Sequence, residues 1–77
     1  DYQLQKENQK EQRRLARRLE QLEAQIEDLD SQISQLQEAM QATNDAAELM
    51  ESQQQIDQLT AAQEEAMLEW EELAEKV

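Results

Sequence analysis

The chain is 77 residues long, carries a formal net charge of −12 and contains no glycine, proline, phenylalanine, cysteine or histidine. Those absences exclude disulfides and cysteine-based metal sites, and they remove the usual residues of tight turns and strand bends. Ala, Leu, Glu, Gln, Arg and Met dominate. All are good helix formers, so the composition predicts long helices or a coiled coil and argues against a compact globule. No apolar run approaches the roughly 18 residues that span a membrane. The chain begins without Met and reads as a fragment or processed piece. The absence of cysteine fits a cytoplasmic location.

The first predicted element is a helix over about residues 5–42. Apolar residues fall at Leu15, Leu19, Leu22, Ile26, Leu29, Ile33, Leu36 and Met40, with gaps alternating between four and three. This is a heptad pattern with Leu19, Ile26, Ile33 and Met40 at a and Leu15, Leu22, Leu29 and Leu36 at d. The stripe is narrow and calls for one partner helix. Upstream of it the corresponding positions are Gln5, Asn8 and Gln12, so residues 1–14 are predicted to overhang the partner and fray.

A break follows over residues 43–45. Thr43, Asn44 and Asp45 are poor in helix interiors and good at caps. Asp45 reads as an N-cap with Glu48 as its capping-box partner, and Asn44 as a residue able to end a helix in the left-handed conformation. The second helix is predicted over about residues 46–76. Its seam runs Leu49, Ser52, Ile56, Leu59, Gln63, Ala66, Trp70, Leu73 and Val77, interrupted by two polar side chains.

A short break between two helices of similar length allows an antiparallel hairpin, while an unbroken helix would pair with a second copy. Charge favours the hairpin, because it lays the basic start beside Glu64, Glu65, Glu69, Glu71, Glu72 and Glu75. The expected fold is therefore all-α: a monomeric, two-helix antiparallel coiled-coil hairpin forming a single domain over residues 1–77. In an antiparallel seam, a pairs with d, so paired residue numbers sum to 92 or 85. The sum of 92 sets Leu22 against Trp70 and buries more apolar area.

Six of the seven basic residues lie in the first eighteen: Lys6, Lys10, Arg13, Arg14, Arg17 and Arg18. Extended backwards, the heptad puts five of them outward at b, c and f, and Arg18 at g, within reach of Glu69. An exposed pair of that kind is worth well under about 1 kcal/mol. Like charges four apart along the helix are mildly destabilising, so helix stability does not account for the cluster. Two readings stand. One is a solvated face attracted to the acidic end. The other is a patch that contacts nucleic-acid phosphate weakly and without reading sequence. Residues 19–77 hold sixteen acidic residues against Lys76 alone, a net −15, so only this end of the rod suits nucleic acid. No residues are arranged for catalysis: nothing activates Ser31, Ser34 or Ser52, and no glycine-rich phosphate loop exists. The chain itself is predicted not to be an enzyme and to hold no cofactor.

The run Lys10–Arg13 (Lys-Glu-Gln-Arg), the leucine heptads from Leu15 to Leu36, Asp45 before the second helix, and Trp70–Leu73 (Trp-Glu-Glu-Leu) resemble the C-terminal extension of ABC-F ATPases. The resemblance covers nearly the whole chain. It departs at the break, which often carries Asp-Pro and an aromatic in that family and here reads "MQATND". The resemblance implies a two-helix antiparallel coiled coil at the end of a soluble protein with two ATP-binding cassettes. ATP would then be bound upstream. It implies work on ribosomes and translation, and in one branch DNA binding by the extension. A non-catalytic module assisting DNA or ribosome binding is thus one expectation. A structural or self-associating coiled coil making protein–protein contacts is the other.

Overall fold

The computed structural model describes residues 2–77. It contains two helices, α1 (Tyr2–Gln41) and α2 (Ala46–Lys76), which pack against one another along their length. The molecule is a rod with extents of 66 × 14 × 13 Å. Its radius of gyration is 18.5 Å, against about 11.5 Å for a compact domain of this length. The single two-sided seam explains the shape. Each seam residue meets one partner helix, so among the described residues only Leu22, Leu29, Ile56 and Ala66 are buried, and of these Leu22 alone completely. The remaining seam positions, including Leu15, Leu19, Ile26, Ile33, Leu36, Leu59 and Trp70, are half-buried.

The turn is built differently from the sequence expectation. Asp45 caps α2 with extended backbone (φ −75°, ψ 117°), and its Oδ1 accepts from the backbone N–H of Ala47 at 3.0 Å. Glu48 does not reach back to the Asp45 amide. Its Oε2 instead accepts from the Thr43 hydroxyl at 2.6 Å, and Thr43 Oγ1 takes the Asp45 N–H at 3.2 Å. Thr43 therefore supplies the reciprocal half of the box, because its hydroxyl both donates and accepts while a carboxylate only accepts. Asn44 is not left-handed: no described residue has positive φ. α1 closes on a tightened turn in which the Ala42 N–H donates to the Ala39 carbonyl at 3.2 Å. Glu48 in the first turn of α2 and Lys76 in its last complement the helix dipole. Replacing Asp45 with alanine is expected to cost about 1 kcal/mol, and with asparagine almost nothing. Thermal unfolding followed by circular dichroism measures both.

Three polar contacts join residues on opposite helices and show their relative position. Arg18 meets Glu69, Glu23 meets Trp70, and the Ile26 carbonyl accepts from Gln63 Nε2 at 3.3 Å. Their residue numbers sum to 87, 93 and 89: two fall between the two heptad registers and the third lies one beyond 92. Leu22 shares a shallow groove with Ala66, and Trp70 reaches the residue next to Leu22. Side chains lean towards the N-terminus of their own helix, so long ones on antiparallel helices contact residues away from their own level. Gln63, a polar interruption in the seam, satisfies its amide on the α1 backbone.

α2 ends near Gln12: Lys76 shares a groove with Asn8, Glu11, Gln12 and Leu15. α1 has 40 residues and α2 has 31, so α1 is the longer by about 13 Å. The start of α1 is exposed at every residue from Tyr2 to Arg14, yet helical throughout.

Candidate functional site

The six basic residues all sit on α1 and all are exposed. At 100° per residue, Lys6, Lys10, Arg13 and Arg17 fall within a sector of roughly 60°. That sector lies opposite the seam residues Leu15, Leu19 and Leu22. The four form a straight stripe about 16 Å long, at spacings of four, three and four residues. Arg14 lies beside the stripe, one position on from Arg13. The helix needs none of these side chains for its contact with α2, and its backbone hydrogen bonds hold them at fixed separations.

Arg18 is different. Its Nε and Nη2 both donate to Glu69 Oε2 at 2.7 Å, and its Nη1 reaches Gln21 Oε1 at 3.4 Å. The pair is the one reached from heptad position g. Its side chains are 46% and 44% exposed, so solvent screens it and it contributes well under about 1 kcal/mol. Glu69 thereby partly occupies the sixth cation of the cluster. Arg18–Glu69 is the ion pair found among the described residues, and the other five basic side chains lie outside it. Glu7 and Glu11 border the cluster on one flank, sharing a shallow surface with Lys10 and Arg14.

On the other flank Tyr2, Gln5, Lys6, Gln9, Lys10 and Arg13 line one continuous shallow groove. Tyr2, which sequence reasoning did not single out, lies one turn before Lys6 on the same stripe. Its spacing of four residues from Lys6 was the available signal. Trp70 is half-buried in the seam, with its Nε1 donating to Glu23 Oε1 at 3.2 Å. It is a packing residue, and Glu23 as its partner was not foreseen. Two exposed glutamines make hydrogen bonds along their own helix. Gln32 and Gln53 donate to Asp28 and Asp57 one turn away, at 2.8 and 2.9 Å. Among the described residues no group of three or more acidic side chains converges as a metal site, and no helix is long and apolar enough to cross a membrane.

The family model for the ABC transporter C-terminal domain matches residues 6–75. No curated protein and no solved structure matches the chain. The matched segment takes in α1 from Lys6, α2 as far as Glu75, the Asp45 cap and the whole basic cluster, and leaves Tyr2 and Gln5 outside. This chain belongs to the ABC transporter C-terminal domain family.

Proposed function

We propose that the chain is the non-catalytic C-terminal coiled-coil module of an ABC-F type ATPase, and that its basic stripe holds nucleic-acid phosphate. The module would assist the binding of DNA or of ribosomal RNA in the cytoplasm, as a monomer. Nucleotide-binding domains upstream in the same protein would supply ATP chemistry and most of the affinity. The observation that carries this reading is the stripe itself. Lys6, Lys10, Arg13 and Arg17 line the side of α1 opposite the seam, exposed and outside the ion pair with α2. Arg14 adds a fifth outward charge. Arg18, held by Glu69, contributes least.

Five phosphate contacts would give a salt slope near −4.5 on duplex DNA. The net −15 of residues 19–77 opposes approach of any other part of the rod, so affinity of the isolated chain belongs in the non-specific range of about 10⁻⁴ to 10⁻⁶ M. The test is a titration with duplex DNA and with structured RNA at low salt, followed by backbone amide shifts. Shifts confined to residues 6–18 are expected. Replacing Arg13, Arg14 and Arg17 together by glutamine should weaken binding tenfold or more, by roughly 0.9 in salt slope per lost contact. Shifts that survive the triple replacement, or that fall elsewhere, would overturn the reading in favour of a structural or self-associating coiled coil.

A further inference from the structure

On its N-terminal side the basic stripe continues onto an aromatic ring. Tyr2 is 77% exposed and lies four residues before Lys6, in the same sector of α1 as Lys6, Gln9 and Arg13. The ring is the one tyrosine of the chain, and the other aromatic, Trp70, is engaged with Glu23. A large apolar side chain left open on a polar arm is not there for the hairpin, because α2 does not extend to this level. Gln5 and Gln9 flank it with amides that both donate and accept hydrogen bonds.

We propose that Tyr2 is a stacking platform for an unpaired nucleobase, so that this arm takes single-stranded nucleic acid in preference to duplex. The proposal rests on the phosphate-binding reading of the stripe and adds what that stripe recognises. Lys6, Lys10 and Arg13 would track the backbone while Tyr2 takes a base one helical turn away, about 5–6 Å along the axis. A duplex buries its bases in its own stack and offers such a ring nothing. A single strand offers a π-face at every nucleotide, whatever its sequence. Gln5 and Gln9 stand beside the ring, where base edges would lie.

The test uses the whole 77-residue chain at low salt and four labelled probes: single-stranded DNA, single-stranded RNA, duplex DNA, and an abasic strand with the same number of phosphates. Tyr2→Ala is expected to weaken single-strand binding by roughly five- to a hundredfold, and to leave duplex and abasic binding unchanged. Tyr2→Phe should retain the single-strand affinity. Because Tyr2 stands clear of α2, neither replacement should alter the unfolding midpoint. A Tyr2 effect on either DNA or RNA supports the proposal and identifies the strand. Absence of the effect from both overturns it, as does an equal loss on the abasic probe, and either result leaves the phosphate reading intact. If no probe binds and no amide of residues 6–18 shifts, both readings fall.

Discussion

Replacing Leu22 with alanine is expected to destabilise the hairpin by about 2–3 kcal/mol, lowering the unfolding midpoint by roughly 8–24 °C. Leu22 is the most completely buried large side chain, at 1% exposure. Its replacement loses the transfer free energy of the removed methyl and methylene groups and leaves a void against α2. The lower part of the usual range for leucine applies here for a structural reason. Leu22 borders a groove open to solvent and lined by small Ala62 and Ala66, so water can fill part of the space. The effect on the molecule is large all the same. A chain of this length has a total stability of about 4–11 kcal/mol, and a single-seam hairpin belongs near the bottom of that scale. Leu4→Ala is the control. Leu4 is 58% exposed on the overhanging arm, and its replacement should change stability by less than about 0.5 kcal/mol. Urea unfolding followed by far-ultraviolet circular dichroism measures both. Equal effects at Leu22 and Leu4 would mean that the seam does not hold the helices together.

Trp70→Ala should cost about 2 kcal/mol, below the usual loss for a buried tryptophan because the side chain is only half-buried. Trp70→Phe separates the two contributions of the indole. Phenylalanine keeps most of the apolar contact and removes the Nε1 donor that meets Glu23 Oε1 at 3.2 Å. Glu23 is exposed and recovers a water in place of that donor, so the phenylalanine variant should lose less than about 1 kcal/mol. Urea midpoints of the two variants decide between packing and hydrogen bonding. If phenylalanine proves as damaging as alanine, the bond to Glu23 and not apolar packing is what Trp70 supplies. Both variants leave the basic stripe untouched, so their nucleic-acid binding should follow the folded fraction alone.

Several features were legible because they depend on residues close in sequence or on strict periodicity. The unbroken alternation of threes and fours from Leu15 to Met40 fixes which face of α1 is covered. Asp45 as a cap follows from its short acceptor side chain at the break, and it accepts the Ala47 N–H. Arg18 and Glu69 were matched by heptad position and charge, and they meet. The outward placement of Lys6, Lys10, Arg13 and Arg17 is arithmetic on a helix of 3.6 residues per turn. These were missed: that Thr43 and not the Asp45 amide pairs with Glu48, and that Asn44 keeps negative φ. A loop of four residues has several hydrogen-bonding solutions of similar energy, and local preference does not rank them.

The sequence by itself determined that the chain makes two helices broken at residues 43–45, with one apolar stripe each and the positive charge gathered on one outward face. Helical period and capping chemistry are local properties, and charge placement follows from them. Only the tertiary structure decided how the two stripes meet. The polar cross-helix contacts scatter from a residue sum of 87 to one of 93, and Gln63 spends its amide on the Ile26 carbonyl. It also decided how far α2 reaches along α1, and so which part of the basic arm, Tyr2 included, stands clear of it. Heptad patterns repeat every seven residues and score equally after a slip of one repeat. The position along the seam is chosen by the summed fit of side chains distant in sequence, from Leu22 and Ala66 to Arg18 and Glu69, and that sum exists only once the two helices are together.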